Sequence, residues 1–455
     1  MSSTETRSLT RRGILRAALL GAGMAALGAC QPKVQEKIVE KEVTKTVKEV
    51  VTATPAPRGP VTIRGTAYYN VKVWESIAPR AKQLGLELDI SFTPVAGGHD
   101  QYANTVMTRL AGGEQLDLVF VATAGLGPLA AANILRPLEP FFEADKAAHD
   151  DIKNDIHPML LKSLQFKGKQ LNIPLEWNPT VMYYNTAVFQ DKGVAPPKPD
   201  WTWEDFLEIC LRVASVKGGK DDLYAYAWLD GAWPMMAWYY NNDTSFLNPE
   251  WTDSNLLDPK VAETLQFLVD LIHKHKVAPQ LAGFNLDAQF GAGNVAMRTC
   301  GRWCVAIARN YGLQTYEITY QPHRRGPYRA SFGSAGFGVT TLCRYPQEAW
   351  QALKLVTDKE ANLAMVSVAG STPARRSAAE SPQVLNEGPS KNLTIFYKVL
   401  DQANITPSPS NVNIIEPLLR RYYAQIWAGE LTVGKALPQM HKELQAEMDK
   451  LKKTT

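Results

Sequence analysis

Leu116 to Ala124 reads LDLVFVATA, an almost unbroken apolar run rich in β-branched residues and too short for a helix of ordinary length. A strand of that kind is buried on both faces, as in a mostly parallel sheet covered by helices on each side. The segments before it alternate in period. VTIRGTAYY from Val61 reads as a strand, WESIAPRAKQLG as a helix and LELDISFTPV as a second strand. Tyr102 to Ala111 then reads as a helix closed by Gly112 and Gly113. This βαβα order predicts an α/β fold, and a chain of 455 residues predicts two lobes rather than one. In such sheets ligands bind beyond the carboxyl ends of strands, which nominates Tyr69, Asn70 and Thr123 as one wall of a site.

The first 29 residues read as an export signal. Thr10-Arg11-Arg12-Gly13-Ile14-Leu15-Arg16 matches a twin-arginine pattern, and the apolar run from Ala17 to Ala29 is too short to span a bilayer at roughly 20 residues. It ends in Leu27-Gly28-Ala29-Cys30, which resembles a lipobox and predicts lipidation of Cys30. Residues 31 to 60 read as a tether, with KVQEKIVEKEVTKTVKEVV alternating charge and Val/Ile before TATPAPRGP breaks regular structure. Val39, Val43 and Val47 at spacings of four allow a short coiled-coil seam, but a solvated tether is the expectation. The net charge of +4 falls to +1 once the leader's four arginines and Glu5 are removed. No basic field is left to hold nucleic acid.

FGAGNVAMRTCGRW, from Phe290 to Trp303, contains a G-x-G-x-x-A that could be taken for a dinucleotide loop. That loop must follow a buried strand and open a crossover helix, and the residues before it, FNLDAQ, are not strand-like. The stretch reads instead as a helix carrying Phe290 and Val295, a strand starting near Met297 and a Gly-Arg-Trp turn. That turn presents Trp303 at the mouth of a cleft, with Arg302 as a polar candidate. VAIAR after it reads as a strand. YAYAWLDGAWPMMAWYYNND, residues 224 to 243, is the densest aromatic stretch. Sugar rings offer an apolar C–H face and a hydroxyl rim, so stacking indoles and phenols flanked by Asp, Asn and Arg suit them. Trp228, Asp230, Trp233 and Tyr239 are the candidates here. Thr202 reads as a helix N-cap, with Trp203 and Phe206 packing inward.

Chemistry-bearing motifs are otherwise scarce. His273 and His275 lie two apart, so on a helix they point to different sides and share no metal. Cys300 and Cys304 are spaced to bridge locally, but with Cys210 and Cys343 they are expected to be separate buried thiols. No G-x-S-x-G elbow, P-loop or H-E-x-x-H occurs, and no haem, flavin or iron–sulfur motif. No catalytic residue, cofactor or metal is expected. A lipid-anchored glycoside hydrolase or another exported enzyme is the alternative, because a pair of cleft carboxylates cannot be read from sequence.

The pattern F-x-x-G-x-x-A-M-x-x-x-G-x-W resembles a signature of extracellular solute-binding proteins of the sugar-binding family 1, which serve ATP-driven importers. Other motifs follow in the right order from Val61 to Leu451. Leu110-Ala-Gly-Gly-x-x-Leu-Asp-Leu-Val is similar to the family's L-x-x-G-x-x-P-D-V, with Leu116 in place of proline. Tyr184-Asn185 with Phe189 and Gly193, PPKPDWTWEDF, GSTPARRSA and the closing GELTVGKAL are similar to further family stretches. The resemblance implies a type II periplasmic-binding-protein-like fold whose two lobes are joined by a multi-segment hinge. It places 61–176 plus 332–376 in the N-terminal lobe and 177–331 plus 377–455 in the C-terminal lobe. Pro174 to Asn178 would be the first crossing, putting Trp177 and Asn178 in the cleft, and SFGSAGFGVTTL the return crossing, bringing Ser334 close to ligand. The implied protein is a monomeric, extracytoplasmic, non-enzymatic receptor anchored through Cys30. It would close over a mono- or oligosaccharide and deliver it to the permease of an ABC transporter.

Overall fold

In the computed structural model the described residues are 59–69, 72–93, 95, 98–219 and 222–454. The leader, the lipobox with Cys30 and the tether lie outside them, as does Asn70. Residues 59–455 form a single unit built on two main sheets and a two-stranded hairpin.

The strands are β1 Val61–Ala67, β2 Leu86–Phe92, β3 Leu118–Ala122, β4 Gln165–Phe166, β5 Lys169–Gln170, β6 Ile173–Pro179 and β7 Val181–Asn185. They continue as β8 Tyr224–Ala227, β9 Val295–Cys300, β10 Tyr316–Thr319, β11 Ala330–Val339, β12 Thr372–Pro373 and β13 Ala403–Ile405. The larger sheet runs β12-β6-β11-β3-β1-β2, with β13 added to β11, and the smaller runs β10-β7-β9-β8. The apolar run read from sequence is β3, with all five residues buried at the centre of the larger sheet. Pairing is parallel where helices connect successive strands (β1 with β2 and β3, β8 with β9). It is antiparallel where the chain crosses between sheets, as β11 runs against both β3 and β6. The chain leaves the larger sheet between Pro179 and Val181 and returns between Thr319 and Ala330.

Local signals explain the helix ends. The Thr202 hydroxyl accepts from the Asp205 amide while the Asp205 carboxylate accepts from the Thr202 amide, a reciprocal capping box that opens Trp203–Val213. Trp203 stacks on Phe267 in the core, as the sequence predicts. Asp258 caps Pro259–His273, which buries Val261, Leu265, Leu268 and Ile272 along one face.

Three local expectations are corrected. Val295 opens β9 rather than belonging to the helix with Phe290, which ends at Gly291. VAIAR belongs to the helix Trp303–Asn310, whose Cys304, Val305 and Ala308 are buried at helical spacing. Cys300 and Cys304 are joined as a disulfide, while Cys210 and Cys343 are free and buried. The glycines of β11 also have another reason than ligand approach. A Cβ on Gly336 would run into the Ile173 carbonyl, where β11 and β6 shift register, so the close neighbour there is backbone.

Candidate functional site

Where the two sheets meet, the chain encloses a cavity of about 310 Å³. Its walls come from segments far apart in sequence. Tyr69 follows β1, and Thr123 follows β3 at the start of the helix Thr123–Ala131. Glu176, Trp177 and Asn178 come from β6 and Gly333 to Ala335 from β11. The turn Leu229–Asp230 and Trp233 add another side, Trp303 caps it, and Thr406–Ser408 with Glu416 and Arg420 closes the remainder. The sites after β1 and β3 are where strand carboxyl ends in an α/β sheet place ligands.

Aromatic surface dominates one side. The rings of Trp233 and Trp303 lie 5.3 Å apart at 44°, both half-buried. Trp303 is the first residue of its helix, and its ring folds over Gly301 so closely that any Cβ there would overlap it. Polar groups are held in fixed directions. The Asn178 carbonyl accepts from the Arg302 amide at 3.0 Å, leaving its NH₂ available. The Thr123 hydroxyl donates to the Ser334 carbonyl and accepts from the Ser334 amide, each at 3.0 Å. The Ser334 and Ser163 hydroxyls are 2.5 Å apart.

Three carboxyls reach the cavity. The Tyr69 hydroxyl donates to Glu176 at 2.6 Å, and Glu176 is 3% exposed. Burial raises Glu176 from 4.5 to about 7, against the opposing effect of the Ser371 and Tyr69 hydroxyls. Burial also raises Asp230, opposed by the Trp427 indole N–H at 3.1 Å and the Arg420 charge. Glu416 pairs with Arg420 at 2.8 Å and accepts from the Ala232 amide, while Arg420 donates to the Asp230 carbonyl at 2.9 Å. The start of the helix Val412–Ala428 is thereby fastened to the turn that carries Asp230.

Glu176 gives a pH prediction. Its carboxyl is protonated more readily folded than unfolded, so the folded state holds a proton that the unfolded chain releases between pH 4.5 and about 7. Stability from this group is therefore present below 4.5, declines through that window and is flat above it. Glu176→Gln keeps an acceptor for Tyr69 without the charge. It is expected to raise the ligand-free stability at pH 8 by roughly 1–3 kcal/mol and leave it unchanged near pH 4.5. Urea titrations at the two pH values check this, and an equal effect at both would remove the buried charge as its cause.

The structure brings together Tyr69, Thr123, Trp177, Asn178, Asp230, Trp233, Trp303 and Ser334 of the residues nominated from sequence. Trp177 lines the cavity with little surface, since it is 1% exposed, edge-on to Phe332 and Tyr397, and donates to the Pro373 carbonyl at 3.2 Å. Three others sit elsewhere. Trp228 stacks on Tyr226 and meets Trp427 edge-on in the core. Tyr239 is fully buried against the Tyr423 hydroxyl at 3.0 Å. Arg302 is fully buried and pairs with Glu387 at 2.5 Å, with the Gly370, Ser371 and Val384 carbonyls around its guanidinium.

Sequence reasoning passed over Glu176, Glu416, Arg420 and the Thr406–Ser408 segment. The signals were present for the three charged residues. Glu176 shares a strand face with Asn178, two residues on, and Glu416 and Arg420 have ion-pair spacing on a helix. Among the described residues no group of three or more His, Cys, Asp or Glu could hold a metal.

The model of the bacterial extracellular solute-binding protein family matches residues 80–389. An arabinooligosaccharide-binding protein of Halalkalibacterium halodurans is 26% identical over 280 residues, 56% of this chain and 62% of that one. Among solved structures, an ABC substrate-binding protein of Listeria monocytogenes in complex with cycloalternan superposes with a TM-score of 0.74 at 18% identity, over 86% of this chain and 100% of that one. An ABC transporter solute-binding protein of Thermotoga lettingae, bound with α-D-tagatose, gives 0.71 at 19%, over 86% and 100%. The two-lobed type II solute-binding fold is thus shared with both. With a family match over some two thirds of its length, the chain belongs to the bacterial extracellular solute-binding proteins.

Proposed function

We propose that this chain is a lipid-anchored, extracytoplasmic receptor that captures a carbohydrate by hinge closure and hands it to the permease of an ABC transporter. The observation that carries the sugar assignment is the make-up of the cavity. The Trp233–Trp303 pair supplies stacking surface, and Asn178, Asp230, Ser334 and Tyr69 supply directed polar groups around it. A ring with an apolar face and a hydroxyl rim matches that combination. An arabinooligosaccharide-binding relative and similar structures bound with cycloalternan and tagatose support the same class.

On this reading the lobes, 61–176 plus 332–376 and 177–331 plus 377–455, bend about the crossing segments. The ligand stabilises the closed arrangement only through contacts that the open one lacks. The lipobox reading of Cys30 supports the anchor, and the following charged stretch would hold the receptor off the membrane surface. The receptor acts as a monomer and performs no turnover.

A thermal-shift screen of residues 58–455 against mono-, di- and oligosaccharides, polyols and glycerol phosphates tests the reading. A true ligand at a hundredfold excess over Kd is expected to add about 2.7 kcal/mol of stability. No shift across the panel would remove the sugar assignment. Consumption of a sugar with release of reducing ends would replace the receptor with a hydrolase.

A further inference from the structure

The Cys300–Cys304 disulfide stands where the site's main aromatic surface is built. Cys300 is the last residue of β9, Cys304 is the second residue of the helix Trp303–Asn310, and only Gly301, Arg302 and Trp303 lie between them. The bridge therefore ties the end of a strand to the first turn of a helix at the point where Trp303 leaves the backbone. Within this short loop the Gly301 carbonyl accepts from the Tyr183 hydroxyl at 2.9 Å, and the Arg302 amide reaches Asn178. The indole of Trp303 folds back over Gly301, where only hydrogen leaves it room. Both sulfurs belong to fully buried residues, so the bridge is internal to the turn rather than an exposed clasp.

A crosslink spanning so few residues removes less freedom from the unfolded chain than one closing a long loop, because the entropic effect of a disulfide grows with the length of the loop it closes. Its consequence is local. A ring that must be ordered when ligand arrives subtracts that cost from affinity, whereas a ring already held does not.

We propose that Cys300 and Cys304 are positioning residues for the ligand site, whose disulfide fixes the Gly301–Trp303 turn and so sets the Trp303 indole against Trp233 before ligand binds. The affinity part of this inference rests on the sugar-site reading of the cavity; the spectroscopic part stands without it.

The test is the double variant C300A/C304A, made alone and in a Trp303→Phe background. In the absence of ligand, the circular dichroism of the coupled indole pair is recorded, and its Trp303 component is assigned as the signal lost in Trp303→Phe. C300A/C304A is expected to diminish that component while leaving the α/β backbone signal in place. An unchanged component overturns the proposal. With the tightest sugar from the panel, C300A/C304A is expected to weaken affinity about threefold to tenfold with Trp303 present and to have no effect in the Trp303→Phe background. An equal loss in both backgrounds would make the bridge a general structural support and overturn the proposal. If no sugar binds, the sugar reading fails and the indole signal alone decides. If the double variant does not fold, C300V/C304A, which refills the buried strand position with an apolar side chain, takes its place in both readings.

Discussion

Trp303→Ala is expected to weaken ligand affinity at least tenfold while leaving the ligand-free melting temperature within a few degrees of wild type. The indole is half-buried, covers Gly301 and meets Trp233 at 5.3 Å, so its removal opens the cavity wall rather than the core. Truncating a well-packed aromatic at the centre of a binding surface commonly costs 2 kcal/mol or more, about thirtyfold in Kd. The helix loses a first-turn side chain but keeps Cys304, Val305 and Ala308 in the core, which is why little global stability is at stake. Calorimetric titration with the best sugar from the panel, beside a melt of the ligand-free variant, separates the two quantities. An unchanged Kd would take Trp303 out of the site and move the search to Trp233 and Tyr69. A melt lowered by ten degrees or more would show that the indole is part of the core after all.

What could be read from sequence followed the length and purity of each pattern. β3 was legible because its apolar run is rich in β-branched residues, too short for an ordinary helix and preceded by the Gly112-Gly113 break. The helix at Trp203 was legible because Thr202 and Asp205 carry both halves of a capping box. VAIAR was not, because a short apolar run fits a strand as well as a buried helix face, and only tertiary burial of Val305 and Ala308 decides. The site divides in the same way. Trp233, Trp303 and Asp230 stand out by residue type, but Trp228 and Tyr239 carry the same chemistry and point into the core. Nothing in the order YAYAWLDGAWPMMAWYY states which indoles face a cavity. Glu176 was hidden beside Trp177, the more conspicuous neighbour, although strand alternation puts Glu176 and Asn178 on one face. The disulfide could not be chosen over separate thiols, because spacing alone does not fix the strand-to-helix geometry that brings Cys300 and Cys304 together.

Arg302 illustrates the same limit with the largest energetic consequence. Beside Trp303 its charge suggested a ligand contact, yet the side chain turns into the protein and pairs with Glu387, 85 residues away in sequence. Arg302→Ala is expected to destabilise the folded state by roughly 3–5 kcal/mol, the usual result of deleting one partner of a buried ion pair. The lower part of that range is expected, because Glu387 is 13% exposed and keeps its second partner, Arg309, at 2.7 Å. The cost arises from several groups at once: the Gly370, Ser371 and Val384 carbonyls lose their charged neighbour, and a volume the size of a guanidinium is emptied. The Arg302 amide is unaffected by the substitution and continues to hold Asn178, so the binding wall survives in molecules that remain folded. Urea denaturation should therefore show a large fall in midpoint, while titration at low temperature shows Kd within about threefold of wild type. The opposite pair of results, an unchanged midpoint with lost affinity, would return Arg302 to the ligand. Arg302→Lys is expected to recover little of the lost stability, since an ammonium cannot reach Glu387 and the three carbonyls in the planar geometry that the guanidinium fills.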